Sequence, residues 1–165
     1  MIAGKLPSRK EMDPAFMWRL EDLYESDAVW EDEFRAAREA VNAIAAHSGR
    51  LGQSADALRE ALDAQFALSL CVEKLYTYAH MRRDEDNANT FYQALTDRAT
   101  ALMVSAEAAT AYFTPEILAI PPDTLSAYEA ECEGLAVYSQ YLNEIARQRP
   151  HVLSASEEKL LAMAG

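Results

Sequence analysis

The residue types that could bind a metal or act as nucleophiles are few and widely spaced in this 165-residue chain. The three histidines are His47, His80 and His151, and none of them begins an HExxH sequence. The two cysteines, Cys71 and Cys132, form no CxxC pair. A zinc site needs three or four ligands of the His, Cys, Asp or Glu type at compatible spacing. The histidines and cysteines therefore predict no metal site.

His80 and Asp84 are four residues apart, so the two side chains would share one face of a helix. A histidine near a helix end with an acidic neighbour is more often a surface pair than part of a ligand set, and we interpret it as such. Cys71 and Cys132 are flanked by apolar or acidic residues. They are interpreted as buried, unreactive thiols.

Residues 84–89 read DEDNAN and resemble the start of a calcium-binding loop. In the register of an EF-hand, however, the fifth position is Ala88, the sixth is Asn89 instead of glycine, and the twelfth is Leu95 instead of glutamate. These three mismatches argue against calcium. The segment is predicted to be a polar turn whose Asn and Asp side chains cap the ends of helices.

Nucleophilic and phosphate-binding motifs are also missing from the sequence. It contains no GxSxG, and its glycines are too scattered for a phosphate-binding loop: Gly4, Gly49, Gly52, Gly134 and Gly165. Acidic pairs that could exchange protons arise by chance on helices so rich in Glu and Asp. We therefore predict no catalytic residue, no cofactor-binding residue and no metal ligand in this chain.

The composition favours helices as the elements of the fold. Half of the residues are apolar, which allows a packed core, and only five glycines and six prolines occur. No stretch alternates apolar and polar residues over enough positions to predict a β-strand. The fold class is predicted to be all-α, an antiparallel multi-helix bundle with an extended N-terminal arm.

Three capping residues, Ser26, Ser54 and Asn89, predict the starts of three long helices. The first of these helices carries apolar residues at steps of four, three, four and three: Trp30, Phe34, Ala37, Val41 and Ile44. The second is predicted to run to about residue 83, and the third bears a stripe rich in alanine. Shorter helices are predicted after Thr114, from about 122 to 131 and from 135 to 147.

The formal charge of −12 disfavours nucleic acid and anionic membrane surfaces as partners, because both would be repelled. The basic residues near the N-terminus precede no apolar core, so no signal peptide is predicted. The mainly apolar stretches are too short to span a membrane. With only two cysteines the chain is expected to be cytoplasmic.

Several segments in a fixed order resemble the N-terminal region of oligoendopeptidase F, a thimet-oligopeptidase-like family of zinc peptidases. They extend over nearly the whole chain: LPSR at 6–9, WRLEDLYESD at 18–27, LYTYA at 75–79, YQAL at 92–95, FTPEIL at 113–118 and PHVLS at 150–154. The resemblance implies a helical domain that forms one wall of a closed channel in which short peptides are cleaved. It also implies that zinc is bound by an HExxH motif and a downstream acidic residue in a C-terminal catalytic domain, none of which this chain contains.

The expected organisation combines the residue pattern with this resemblance. Residues 1–25 form an arm that docks its aromatic side chains, among them Phe16 and Trp18, on the bundle, and residues 26–150 form the helical domain. Residues 151–165 begin a helix at a capping box, with Ser154 and Glu157, and lead into a missing catalytic domain. The partners would be that domain, in the same polypeptide, and an oligopeptide substrate.

Two other interpretations remain open from the residues alone. The chain could be a free-standing helical module that dimerises or binds a partner helix through its apolar stripes. It could also be a small metal-binding bundle, although no ligand set supports one.

Overall fold

The computed structural model describes residues 11–151, and over these residues the chain forms α-helices and 3₁₀ turns without a β-strand. The α-helices are α1 (Asp27–Ile44), α2 (Ala55–Glu85), α3 (Thr90–Thr110), α4 (Phe113–Ala119), α5 (Pro122–Glu131) and α6 (Ser139–Ala146). The 3₁₀ turns are Pro14–Phe16, Leu20–Asp22, Ala45–His47, Glu133–Tyr138 and Arg149–His151. The prediction of an all-α fold is confirmed. The capping box around Ser154 lies outside the described residues.

The long helices begin where their capping residues predict. The Ser26 hydroxyl accepts a hydrogen bond from the Val29 backbone N–H at 3.4 Å, and the Ser54 hydroxyl accepts one from Ala57 at 3.1 Å. The Asn89 side-chain oxygen accepts one from the Phe91 N–H at 3.0 Å. Each cap satisfies an N–H that the helix itself leaves without a partner.

The chain divides into two compact units. Unit 1 contains described residues 11–45 and 64–110, and unit 2 contains described residues 46–63 and 111–151. Helix α2 therefore contributes its first part to unit 2 and the remainder to unit 1. The arm, bundle and C-terminal segment expected from the sequence divide the chain differently, and that scheme stays a prediction.

Unit 1 is built from α1, α3 and the part of α2 that begins at residue 64. Contacts of α1 residues 27, 30 and 33 fall on α2 residues 78, 75 and 71 in turn, so α1 and α2 are antiparallel. The apolar stripe predicted for α1 supplies buried Trp30, Phe34, Ala37 and Ile44. The stripe of α3 supplies buried Leu95, Ala99, Leu102 and Ala106. The periodicity thus identified most of both core faces, but Val41 of the α1 stripe is only partly buried and Phe91, at the start of the α3 stripe, is 53 % exposed.

Unit 2 combines the first part of α2 with the short helices α4, α5 and α6. Each of these helices contributes buried apolar residues, and the turn before α2 and the 3₁₀ turn before α6 add two more: Leu51, Leu58, Leu62, Phe113, Ile117, Leu125, Leu135, Leu142 and Ile145 are each at most 5 % exposed. Gly49, in the turn after the 3₁₀ segment, has φ +74°. This left-handed conformation suits glycine, which has no Cβ.

Two boundaries in unit 2 differ from the prediction. Helix α4 begins at Phe113, so Pro115 is its third residue instead of its first. Proline is tolerated there because the N–H groups of the first turn have no partner within the helix. The single helix expected over 135–147 is instead a 3₁₀ turn over Glu133–Tyr138 followed by α6. A Cβ at Gly134 would lie 2.5 Å from the Arg59 side chain, so the chain passes close to α2 at this point.

The segment before α1 packs through different residues than expected. Leu20 and Tyr24 are each only 2 % exposed, whereas Phe16 and Trp18 are 81 % and 78 % exposed. The expected docking is therefore wrong for Phe16 and Trp18, whereas Tyr24, an aromatic residue of the same segment, is buried together with Leu20. Among the described helices, none combines the length and the apolar character needed to cross a membrane.

Candidate functional site

Helix α1 is fixed in unit 1 by a fully buried tryptophan and an arginine. The Trp30 ring nitrogen donates to the Leu75 carbonyl oxygen at 2.9 Å. Arg98 donates two hydrogen bonds to the Glu31 carboxylate, at 2.7 and 2.8 Å. The Arg98 guanidinium also lies 4.4 Å from the centre of the Phe34 ring. A planar guanidinium that binds a carboxylate and stacks on an aromatic ring restricts the rotation of α1.

The start of α1 is bound by tyrosines from the other two helices. Asp27 accepts a hydrogen bond from the Tyr78 hydroxyl at 2.9 Å and another from Tyr92 at 3.3 Å. Burial is the main cause that raises the pKa of Tyr78 to about 12. Arg82 lies over the Tyr78 ring and donates to Glu21 at 2.6 Å. At neutral pH the tyrosines are protonated donors, so their hydrogen bonds hold the start of α1 against α2 and α3.

Cys71 belongs to a third cluster of unit 1. Its thiol donates to Glu33 at 3.4 Å, and Lys74 donates to the same carboxylate at 3.2 Å. Burial, and then the Glu33 carboxylate, raise the pKa of the Cys71 thiol to about 11. Cys71 and Cys132 are only partly buried, so the prediction that both thiols are buried is wrong. The high pKa nevertheless keeps Cys71 protonated and makes it a poor nucleophile at neutral pH.

The candidate site is a groove between α2 and α3 of unit 1, called here the α2–α3 groove. It encloses about 500 Å³. Its lining residues are Leu68, Ser69, Val72, Glu73, Tyr76 and Thr77 of α2 and Met103, Ala106, Glu107 and Thr110 of α3. Among its lining residues from α3, Ala106 has the smallest side chain. The alanine-rich stripe of α3 was visible in the sequence, but the groove was not.

A second groove lies on the other side of α3, against α1. It encloses about 420 Å³ and is lined by Phe34, Arg38, Val41, Asn42, Arg98, Ala101, Leu102 and Ser105. Its charged residues are both basic, whereas those of the α2–α3 groove are both acidic. Helix α3 therefore separates two concave surfaces of opposite charge.

The residues considered as metal ligands from the sequence do not come together. The His80 Nδ1 lies 3.1 Å from the Asp84 carboxylate, and its Nε2 lies 2.8 Å from an Arg83 nitrogen. The predicted surface pair is therefore confirmed. Within residues 11–151 there is no group of three His, Cys, Asp or Glu side chains that could hold a metal ion.

The acidic loop between α2 and α3 serves as the predicted turn. The Asp86 carboxylate accepts a hydrogen bond from the Ala88 N–H at 3.0 Å, and Asn89 caps α3. The Gln93 side chain donates to the Asn87 carbonyl at 2.6 Å. These groups bind the backbone of the loop itself, which agrees with a capping role.

Unit 2 contains two polar side chains whose roles the sequence did not reveal. Arg149 donates to the carbonyl oxygens of Leu118 and Ile120, at 2.9 and 2.7 Å, and more weakly to that of Ile117. Glu116 accepts hydrogen bonds from the Gly49 N–H at 2.6 Å and from the Ser48 hydroxyl at 3.2 Å. Both partner sets are far away in the sequence, so no local pattern could have indicated them.

Comparison with known proteins gives matches along nearly the whole chain. A family model described as Oligopeptidase F matches residues 116–165. Oligopeptidase PepF of Bacillus subtilis is 47 % identical over 98 % of this chain, and the plasmid-encoded oligoendopeptidase F of Lactococcus lactis subsp. cremoris is 32 % identical over 96 %. The chain spans 24 % and 26 % of these two proteins, about a quarter of their length.

A solved structure shows the same fold. The crystal structure of oligoendopeptidase F from Enterococcus faecium matches 85 % of this chain with a TM-score of 0.71 and 36 % identity, and the match spans 28 % of that protein. The sequence matches and the structural match are thus all to oligopeptidases of the oligoendopeptidase F type. The chain matches the N-terminal region of oligoendopeptidase F.

Proposed function

We propose that this chain is the helical N-terminal part of a zinc-dependent oligopeptidase, in which it forms a non-catalytic wall beside the peptide-binding cleft. The observation that carries the proposal is the 47 % identity to an oligopeptidase over 98 % of this chain. The match spans only 24 % of that protein, so the proposal includes a C-terminal catalytic domain in the same polypeptide.

The described residues do not fit a zinc site. His80 has a single carboxylate neighbour, and the described part of the chain offers no third ligand. The full sequence has no HExxH motif. In this proposal the zinc ligands and the group that activates water therefore belong to the C-terminal domain.

Two features of the structure support the proposed role as a cleft wall: side-chain contacts between its helices and its concave surfaces. The Trp30, Asp27 and Arg98 contacts hold α1, α2 and α3 together through side chains as well as apolar packing. The α2–α3 groove has the volume of a typical small-ligand pocket. A cytoplasmic location is part of the proposal and is supported by the unpaired state of both cysteines.

The test compares this chain with a longer protein that includes the downstream coding sequence. We expect the longer protein to hydrolyse an internally quenched fluorescent peptide, and we expect a zinc chelator to stop the reaction. The 165-residue chain alone should give no turnover with or without added zinc. Chelator-sensitive turnover by the purified chain, or an inactive longer protein with intact secondary structure, would contradict the proposal.

A further inference from the structure

We infer that the α2–α3 groove binds a peptide segment in which an arginine or lysine stands next to an apolar residue. The inference deepens the proposed function and depends on it for the choice of a peptide as the ligand. Its own support is the combination of an apolar floor with two acidic residues on the walls.

The floor of the groove is apolar and fixed in place. Leu68 and Val72 are buried in unit 1, and Met103 and Tyr76 are partly exposed beside them. The Thr96 hydroxyl of α3 lies 3.1 Å from the Ala79 carbonyl of α2 and 2.9 Å from the Tyr92 carbonyl of its own helix, so α2 and α3 are in direct contact there. An apolar side chain of a ligand would thus meet a surface that already exists in the free protein, which limits the entropy cost of binding.

Glu73 and Glu107 differ from the other acidic residues that line grooves in unit 1. Two smaller grooves beside the N-terminal segment are lined by Glu21, Asp84 and Glu85. Those three carboxylates pair with Arg82 or Arg83. Glu73 and Glu107 form no ion pair with any other residue of the described part of the chain. Within residues 11–151, these two exposed carboxylates on one apolar groove therefore have no cationic partner, and a ligand could supply one.

Arginine and lysine fit such a groove better than a small cation does. Their aliphatic stems lie along apolar surfaces while their charged ends stay at the polar edge. A stem on the floor beside Val72 and Met103 would direct its cation toward Glu73 or Glu107. The net charge of −12 adds a general attraction for cationic peptides and a dependence on salt.

The test measures binding to the 165-residue chain by fluorescence anisotropy, without any peptidase reaction. The probes are two fluorescein-labelled octapeptides of glycine and serine, one with a central Leu-Arg pair and the other with Leu-Gln. We expect the Leu-Arg peptide to bind more tightly. Glu73→Gln and Glu107→Gln should each weaken its binding about three- to fivefold and leave the Leu-Gln peptide unaffected.

The matched control is Glu39→Gln, which makes the same change in net charge on the exposed side of α1. It should alter the affinity by less than a factor of two. Equal weakening by Glu39→Gln and Glu73→Gln would show a general charge effect and overturn the inference. Equal affinity of the two peptides for the unmodified chain would overturn it as well.

A second variant tests the floor independently of charge. Ser69 is exposed and lines the groove, so Ser69→Trp should fill the space without disturbing the core, with an unchanged circular dichroism spectrum. It should abolish binding of the Leu-Arg peptide, and retained affinity would exclude the groove as the site.

If the longer protein is an active peptidase and the groove fails these tests, only the inference about the groove is wrong. If the longer protein is inactive, the proposed function fails whatever the groove binds.

Discussion

The contacts of Asp27 and Glu31 within unit 1 differ in kind from those of Arg149 and Glu116 within unit 2. In unit 1, side chains reach from one long helix to another: Tyr78 and Tyr92 bind Asp27, and Arg98 binds Glu31. In unit 2, the principal long-range contacts of Arg149 and Glu116 are made largely to backbone groups at the ends of short segments.

The difference follows from the lengths of the helices. A long helix satisfies most of its backbone groups internally, so its side chains are available to join neighbouring helices. Helix α4 has seven residues, so a large fraction of its N–H and C=O groups lies in its first and last turns. Short helices therefore depend on side chains from elsewhere to bind these groups. Unit 2 should accordingly be sensitive to the loss of capping residues, and unit 1 to the loss of contacts between helices.

The largest effect is expected at the centre of unit 1. Trp30→Ala removes a ring that is 0 % exposed together with its hydrogen bond to Leu75, and should lower the free energy of unfolding by about 3–5 kcal/mol. The control Trp18→Ala concerns a ring that is 78 % exposed and should change it by less than about 0.5 kcal/mol. Urea denaturation followed by circular dichroism measures both. Similar values for the two variants would contradict the role given to Trp30.

The corresponding test of unit 2 removes the arginine that caps α4. Arg149→Ala leaves the carbonyls of Leu118 and Ile120 without their charged donor, and should lower the free energy of unfolding by about 2 kcal/mol. Arg147→Ala is the matched control, because Arg147 is 74 % exposed and pairs only with Glu144 among the described residues. It should cost less than about 0.5 kcal/mol in the same denaturation experiment. Equal costs would show that capping by Arg149 does not stabilise unit 2.

A smaller effect with a defined pH dependence is expected for the ion pair of Glu31. The hydrogen bond from Arg98 lowers the pKa of the Glu31 carboxyl below its ordinary value of 4.5. Because this pKa is lower in the folded chain, the pair stabilises the fold above about pH 4.5, and the contribution disappears as the pH falls through the folded pKa. Both side chains are about two-fifths exposed, so solvent screening limits it to about 1 kcal/mol or less.

Glu31→Gln measures this contribution as a difference in the free energy of unfolding. The variant should be less stable than the unmodified chain at pH 7, and the difference should shrink as the pH falls through the folded pKa of Glu31. Glu39→Gln, on the same helix, provides the reference for a lost surface charge. A difference between the Glu31 variant and the unmodified chain that stayed the same size at every pH would indicate a cause other than the ion pair.

The smallest effect is expected for the reactivity of the Cys71 thiol. With a pKa of about 11, Cys71 should react with iodoacetamide at pH 8 far more slowly than an exposed thiol of ordinary pKa. Glu33→Gln removes a carboxylate that opposes the thiolate, and should accelerate the reaction about threefold. Mass spectrometry of chains carrying Cys132→Ser gives the rates. An unchanged rate would show that burial alone controls this thiol.

Much of unit 1 could be predicted because its determinants are local. Ser26 and Asn89 cap helices within a few residues of themselves, and the spacing of Trp30, Phe34 and Ala37 selects the buried face of α1. Predictions were weaker where a residue depends on distant neighbours. Phe66 and Leu70 belong to the apolar pattern of α2 and are nevertheless 42 % and 69 % exposed, since a pattern shows which residues could be buried but not which face has a neighbour.

The sequence by itself determined the all-α class, the starts of the long helices and the absence of an HExxH motif, because each depends on residues close together in the chain. Only the tertiary structure decided that Arg149 caps α4, that Glu116 binds the turn at Gly49 and that Glu73 and Glu107 share one groove. These contacts join residues more than 28 positions apart, as in the Arg149–Ile120 contact with its separation of 29. Packing brings such residues together, and no local pattern of residue types encodes which of them will meet.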